Sequence, residues 1–242
     1  MREFSVEVCT GETFKLRYPD KVVDYIASRQ EQREFVKAKK PGDAIPKDIP
    51  EHFAMRAKVT VDELCPLLEK FDFTPVNSMM DIGCGFGATT TLLAKVLNAK
   101  QIHMIEGRGT ILKVTGYNQQ VDAWNDVMMA ETMVRANVRK DRQLFPWYFD
   151  ELPEKLNMHK DGLDLITSFR SWGHHYPVKT YLDHAKRWLK PGGALCLDVR
   201  ISNVPHEDGL GMILQAGFEQ LAWVSEHSAS AKSKRLLFRA PS

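Results

Sequence analysis

The sequence predicts an α/β fold, a doubly wound and mostly parallel sheet preceded by an N-terminal hairpin and helical cap, and three observations carry that expectation. Ser78 to Leu93, SMMDIGCGFGATTTLL, reads as a short strand, a glycine turn and the start of a helix with no residue between them. Downstream, apolar runs suited to strands alternate with helical patterns, the order that a doubly wound sheet requires. Upstream, Phe4, Val6 and Val8, then Phe14, Leu16 and Tyr18, alternate on either side of Thr10-Gly11-Glu12, the pattern of a β-hairpin.

Length and composition agree with this class. At 242 residues and 43% apolar content, the chain suits one large α/β domain or a core with a small appendage. Basic and acidic residues nearly balance, 33 against 31, for a formal charge of +2, so there is no global electrostatic case for nucleic acid or a membrane surface. Cys9, Cys65, Cys84 and Cys196 lack C-x-x-C or other metal-ligand spacing, which points to reduced packing thiols in a cytoplasmic protein. The opening residues, MREFSVEVCTGE, contain no apolar signal-peptide centre, and no apolar run nears the roughly 18 residues of a membrane span, so neither export nor insertion is expected.

Taken in order, Asp20 is placed to cap a helix through Val22 and Ile26 to about Lys37. KKPGDAIPKDIPE follows, whose three prolines and one glycine read as a linker or lid loop. Thr60 with Glu63 makes a capping box for a helix bearing Val61, Leu64, Leu68 and Phe71, bent near its start by Pro66. Residues 1–74 therefore read as a cap or lid segment, and 75–242 as the core.

In the core, Ser78 to Ile82 is the first strand and Gln101 to Ile105 the second, ending at Glu106-Gly107. The connection from Arg108 to Tyr117 is long and leaves a strand's carboxyl end, which makes it a wall or flap over a ligand crevice. A helix with Ala123, Val127, Ala130 and Val134 on one face leads to a third strand, Leu144 to Phe149, ending at Asp150. The fourth strand, Gly162 to Phe169, runs into Arg170-Ser171-Trp172-Gly173-His174-His175-Tyr176-Pro177, read as a polar and aromatic loop where chemistry would occur. A helix with Tyr181, Leu182, Ala185, Trp188 and Leu189 breaks at Lys190-Pro191-Gly192-Gly193, before the apolar strand Ala194 to Val199. A short helix near Leu210 to Gln215, a segment Phe218 to Glu226 and a last strand Arg235 to Arg239 complete the chain.

The glycine turn is a nucleotide-cradling geometry: glycines let the backbone approach a ligand, and the free N–H groups of the next helix point at it. Gly83, Gly85 and Ala88 satisfy the G-x-G-x-x-G/A pattern of dinucleotide-binding folds, and Glu106 lies near the spacing of a ribose-binding acid, so the pattern alone leaves the ligand open. Asp81 shifts the balance, because a carboxylate there repels a pyrophosphate and attracts an ammonium or sulfonium group.

An acidic residue followed by a glycine-x-glycine-x-glycine turn, here Asp81, Gly83, Gly85 and Gly87, resembles the first motif of the class I S-adenosylmethionine-dependent methyltransferases. The K-P-G-G turn before the fifth strand is a second point of resemblance, which covers about residues 75–240. It implies a seven-stranded sheet with an antiparallel C-terminal strand, and S-adenosyl-L-methionine as cofactor. By the same resemblance Asp81 would hold the methionine ammonium, the three glycines would lie under the cofactor, Glu106 would accept both ribose hydroxyls, and Asp150 would accept the adenine amino group. Ser168, at the fourth strand's end, is counted in the same set.

Methyl transfer from a positively charged sulfur needs no acid for the leaving group, so the protein must align the reactants and activate the nucleophile. His174 or His175 would be the base, His174 being preferred because Tyr176-Pro177 begins the next helix and would engage His175. Trp172 and Tyr176 can present rings to the sulfonium or the substrate, and Arg170 and Arg200 can bind an anionic substrate group or form surface salt bridges. No metal-ligand spacing occurs. The fourth strand ends T-S-F-R, without an N-P-P-Y loop, and no Pro-Cys nucleophile follows the first motif, which argues against methylation of nucleic-acid bases by those routes. The expected acceptor is therefore an oxygen or nitrogen atom of a small molecule, and a homodimer is allowed for. An RNA or protein acceptor stays open through a basic edge of Lys232, Lys234, Arg235 and Arg239. So do aminopropyl transfer, a nicotinamide-dependent oxidoreductase and a non-catalytic cofactor-binding protein.

Overall fold

The alternation at the start of the chain forms the hairpin it calls for: β1 (Arg2–Glu7) and β2 (Thr13–Tyr18) pair antiparallel, from Arg2 opposite Tyr18 to Glu7 opposite Thr13. The computed structural model describes residues 1–37, 49–69, 76–109, 125–152, 162–201, 208–224 and 233–241. Val6, Val8, Leu16 and Tyr18 are buried, because two strands alone cannot hold a hairpin and its apolar face must find a partner. The partners include α2 (Ile49–Leu68) and the sheet's first helix, α3 (Ala88–Val96), and α1 (Asp20–Lys37) packs beside them.

Four readings of this region are corrected. Asp20 is the first residue of α1 rather than its cap; the N–H groups of Val22 and Val23 donate to the Pro19 carbonyl instead. The capping box at Thr60 and Glu63 lies inside α2, which starts at Ile49, with Pro66 in its last turn and not its first. Pro50 signalled a break in sequence, yet it occupies the first helical turn, where a missing N–H costs no intrahelical bond. Cys9 and Cys65 are joined in a disulfide that ties the hairpin to α2, so only Cys84 and Cys196 are the buried free thiols expected of all four. Residues 39–48 of the linker reading lie outside the described residues, as does Phe71.

The core runs β3 (Ser78–Ile82), α3, β4 (Gln101–Glu106), α4 (Val127–Arg135), β5 (Gln143–Tyr148), β6 (Leu163–Ser168), β7 (Ser171–Tyr176), α5 (Leu182–Trp188), β8 (Leu189–Arg200), α6 (Gly209–Gln215), β9 (Glu219–Trp223) and β10 (Ser233–Arg239). Seven of these strands form one sheet in the order β5-β4-β3-β6-β8-β10-β9. The first five are parallel, and β10 pairs antiparallel with both β8 and β9. All five β3 residues are buried, as a strand covered on both faces must be. From β3 the chain first steps outward to β4 and β5, then returns to place β6 on β3's other side. That reversal is a topological switch point, where the carboxyl ends of strands leave a crevice.

Two further expectations change. Arg170 to Tyr176 is no loop, since Ser171–Tyr176 is extended as β7, packed against β8. Lys190 to Gly193 does not precede β8 but lies within it: Leu163 pairs with Leu189 and Leu165 with Ala194, so the K-P-G-G residues bulge out of register. Helix α4 starts after Asp126, whose carboxylate caps it by accepting the Met128 N–H at 2.9 Å. Ala123, residues 110–117 of the long connection and residues 225–232 lie outside the described residues.

One buried ion cluster joins the N-terminal elements to the sheet. Arg235 on β10 is 1% exposed and donates through Nε and Nη2 to Asp198 on β8 at 2.9 and 3.1 Å, and through Nη1 to Glu63 on α2 at 2.6 Å. Its guanidinium also lies over the Phe169 ring, 4.5 Å from the centroid. The basic edge is thereby corrected: Arg235 is internal, Arg239 pairs with Glu219, Lys234 sits over Trp223, and Lys232 lies outside the described residues. Among the described residues no helix is long and apolar enough to cross a membrane, and no cluster of His, Cys, Asp or Glu could hold a metal ion.

Candidate active site

The site forms where β3 ends. Gly83, Gly85 and Gly87 have φ of 74°, 63° and 87°, a left-handed course that lets the turn fold back under the helix that follows. The N–H groups of Gly83 and Cys84 donate to the Ile105 carbonyl at 2.8 and 3.2 Å, tying the turn to β4. Each glycine answers a different constraint. A Cβ on Gly83 would stand 1.9 Å from the Ser171 hydroxyl, and one on Gly87 would stand 2.9 Å from the Ala130 carbonyl, whereas one on Gly85 would meet nothing nearer than 3.7 Å. Gly83 and Gly87 thus serve packing, and Gly85 leaves open space above the turn.

Two carboxylates frame that space. Asp81, on β3, is 2% exposed and accepts hydrogen bonds from the Thr90 hydroxyl at 2.5 Å and the Thr167 hydroxyl at 3.0 Å. Burial pushes its pKa up to about 6, and the two hydroxyls only partly offset that. Glu106, at the end of β4, accepts the Gly85 N–H at 2.8 Å and the Gly107 N–H at 3.3 Å. Burial raises it to about 7, against the pull of those two N–H groups. Neither carboxylate has a cation beside it among the described residues, so each is an acceptor in want of a positive or hydroxyl-bearing ligand.

The cleft above them, about 540 Å³, is lined by Asp81, the glycine turn and Glu106 on one side. Phe169, Arg170, Ser171, His175 and Tyr176 line it from the β6–β7 side, and Phe53, Arg56, Ala57 and Thr60 from α2. Arg170 has φ of 55°, left-handed for a residue with a side chain, a conformation costing about 1 kcal/mol or more and held here by its N–H donating to Asp198 Oδ2 at 3.0 Å.

Of the residues singled out in sequence, Asp81, Gly83, Gly85, Glu106, Arg170, His175 and Tyr176 meet in this cleft. The others do not line it. Gly87 supports the turn from below as the N-cap of α3. Ser168 is fully buried, donating to the Ile82 carbonyl at 2.8 Å and accepting the Trp172 N–H at 3.0 Å, so it joins β3 to the β6–β7 turn. Trp172 is fully buried too, its Nε1 donating to the Val178 carbonyl at 2.8 Å, which corrects its placement against a substrate. Asp150 lies half-exposed at the end of β5, where Arg108 binds it at 3.3 Å while stacking over Tyr148 at 3.7 Å. Arg200 Nε donates to the His174 carbonyl at 3.0 Å.

The two histidines are placed differently. Their rings meet edge to face, with centroids 4.5 Å apart, and His175 lines the cleft while His174 lies behind it, 8% exposed. Its Nδ1 is buried without a hydrogen bond, and burial holds its pKa down at about 4, with His175 and Arg200 adding repulsion. His174 does not line the cleft.

The α2 residues are the part that sequence reasoning missed. Phe53, Arg56, Ala57 and Thr60 recur at three- and four-residue spacing, one face of a helix, so a periodicity count continued upstream of Thr60 would have found them. Thr90 and Thr167, the hydroxyls on Asp81, carried no local signal.

Comparison with known proteins agrees with this geometry. The sequence profile of a family described as a methyltransferase domain matches residues 51–235. A search of curated protein sequences finds no match. Among solved structures, the N-methyltransferase NodS from Bradyrhizobium japonicum WM9 is 18% identical, with 81% of this chain and 100% of that one covered at a TM-score of 0.51. The [4+2]-cyclase SpnF is 17% identical over 76% of this chain and 82% of its own, at 0.52. The 16S rRNA N2 G1207 methyltransferase RsmC of T. thermophilus is 15% identical over 99% of this chain but 50% of its own, at 0.50. These likenesses are of fold. The profile match spans most of the chain, and with the acid and glycine turn of β3 and the observed strand order it shows that the protein belongs to the methyltransferase-domain family, the class I S-adenosylmethionine-dependent methyltransferases.

Proposed function

We propose that the protein methylates an oxygen or nitrogen atom of a small-molecule acceptor, with the cofactor bound over Gly83–Gly87 and His175 as the base. The observation that carries this reading is the pair of carboxylates, buried Asp81 and half-buried Glu106, on adjacent strand ends flanking an open glycine turn. Asp81 suits the cofactor's ammonium, and Glu106, presenting two oxygens at the end of β4, suits the two ribose hydroxyls. A pyrophosphate in the same place would face both acids, which counts against a nicotinamide ligand.

When bound, the cofactor supplies an electrophilic methyl group on sulfur, which keeps the bonding electron pair as it leaves. The chain's own work is to align the acceptor against the floor, exclude water with Phe53, Phe169 and Tyr176, and take up the proton that the nucleophile loses on His175. We assign residues 1–74 to the cap of this site, since α2 supplies one of its walls. Asp150 is assigned no adenine contact while Arg108 holds it. The basic edge that would favour an RNA acceptor loses one of its four cations with the burial of Arg235.

The test is calorimetry with S-adenosylhomocysteine and with NAD, followed by incubation of methyl-labelled cofactor with fractionated cell extract. Binding of the homocysteine product and label in a low-molecular-weight fraction are expected. Binding of NAD alone would overturn the reading, and label confined to RNA or protein would overturn the acceptor class.

A further inference from the structure

We propose that the acceptor carries an anionic group, separate from the atom that is methylated, and that Arg170 binds it. This rests on the methyl-transfer reading above and adds to it the charge of the substrate.

The argument begins with a count of charges around the cleft. Its floor holds two carboxylates, Asp81 and Glu106, each already bonded to hydroxyl or N–H groups of the protein and neither ion-paired. Its wall is lined by two arginines, Arg56, which is exposed to water, and Arg170, which is partly buried. Water satisfies the first, so Arg170 is the cation left to the ligands of the cleft.

Position assigns that role to Arg170. Glu106, on β4, marks the ribose end of the cofactor; Asp81, on β3, marks its amino-acid end; and Arg170 follows β6, one strand further along. The acceptor must therefore approach on the Arg170 side. The nearest acid does not claim the side chain. Asp198 takes the backbone N–H of Arg170, but its side-chain partner is Arg235, which binds it through two nitrogens and reaches Glu63 with a third. Arg170 helps to balance the charge of that cluster from a distance, yet forms no ion pair among the described residues. Its five N–H donors remain available to the cleft.

Two further observations agree. The left-handed backbone at Arg170 is a strained conformation fixed by the bond to Asp198, and such strain persists where the surrounding structure imposes a direction on a side chain. Partial burial also works against the charge of Arg170 more than Asp198 supports it, so this cation gains when an anion arrives. Around it, Phe53, Phe86, Phe169 and Tyr176 provide apolar surface, which suits a carboxylate or phosphate attached to an apolar or aromatic body.

The experiment uses the full chain, methyl-labelled cofactor and a low-molecular-weight cell extract. Labelled product from the wild-type protein is passed over an anion exchanger at neutral pH, and transfer is compared in Arg170→Met and Arg170→Lys. The expected result is a labelled product that is retained, transfer lowered about tenfold or more in Arg170→Met and partly restored in Arg170→Lys, and unchanged affinity for S-adenosylhomocysteine. Label on an unretained product, or wild-type transfer by Arg170→Met, would overturn the inference while leaving methyl transfer intact. Absence of label from every fraction would overturn methyl transfer itself, and this proposal with it. The product-charge arm needs only the wild-type protein, so a poorly folded variant does not remove the test.

Discussion

The floor and the wall of the cleft are built in opposite ways. The floor comes from one short stretch, Asp81 to Glu106, and its two acids are held by neutral donors: hydroxyls of Thr90 and Thr167, N–H groups of Gly85 and Gly107. The wall is gathered from α2, β6 and β7, far apart in sequence, and is held by a buried ion cluster centred on Arg235. A floor held by neutral groups leaves its charges for a ligand. A wall held by paired charges depends on every member of the set, and removing one strands the others.

The largest test of that contrast is Arg235→Met. It takes the Arg235 guanidinium from buried Asp198 and half-buried Glu63, which should cost about 3–5 kcal/mol in urea titration. The damage should fall on the wall, so the protein that stays folded should bind S-adenosylhomocysteine nearly as before while transferring methyl groups poorly. A loss of affinity matching the loss of transfer would mean that floor and wall are one unit. Next in size is His175→Ala, expected to lower turnover on the order of 10²-fold with cofactor affinity intact. His174→Ala, which removes the more buried ring packed against His175, should change stability and leave turnover within a few-fold. Equal turnover losses in both would show that the segment acts through its shape.

The same contrast explains what was legible in the sequence. The floor was readable because its acids, glycines and strand pattern sit within a single βαβ unit, where spacing translates directly into position. The strand alternation likewise gave the sheet and its order of elements. The wall was not readable, because it depends on which distant helix face meets the crevice. Pro50 looked like a break and so hid the start of α2, along with Phe53 and Arg56. The run R-S-W-G-H-H-Y looked like a loop because Arg, Ser, Gly and His are poor strand signals, and only the folded chain shows that His175 lines the cleft and His174 does not. Nor did anything in sequence show that Arg235, in a basic stretch, would be the most buried cation among the described residues, since its partners Glu63 and Asp198 lie on other elements.

On the floor, Asp81→Asn and Glu106→Gln should each weaken binding of S-adenosylhomocysteine by about 1–3 kcal/mol, the range for hydrogen bonds to charged groups. Both changes keep size and remove charge, so melting temperature without ligand should hold or rise, because a buried carboxylate without a cation costs stability when ionised. Unchanged affinity in both variants would place the cofactor elsewhere.

The smallest effect, and the sharpest separation of floor from wall, is in pH. Burial raises Asp81 from 3.8 to about 6 and Glu106 from 4.5 to about 7, so between those limits the native state holds protons that the unfolded chain has released. Their contribution to stability is therefore fully present below about pH 4 and is lost as pH rises through 6 and then 7. His174, held down from 6.5 to about 4, has the opposite sign: its contribution is present above pH 6.5 and is lost as pH falls through 4. Cofactor binding should reverse the trend on the floor, because an ammonium beside Asp81 and hydroxyls on Glu106 favour the ionised acids and so expel their protons. Affinity for S-adenosylhomocysteine should then rise from pH 5 to pH 8, by at most about a hundredfold per unit below pH 6, where both acids hold protons, and about tenfold per unit between 6 and 7, with proton release measurable by calorimetry in buffers of different ionisation enthalpy. Glu106→Gln should remove the upper part of that rise, near pH 7, and leave the acid-side loss of stability due to His174 in place. A pH-independent affinity in the wild-type protein would show that the floor is already ionised before the ligand arrives.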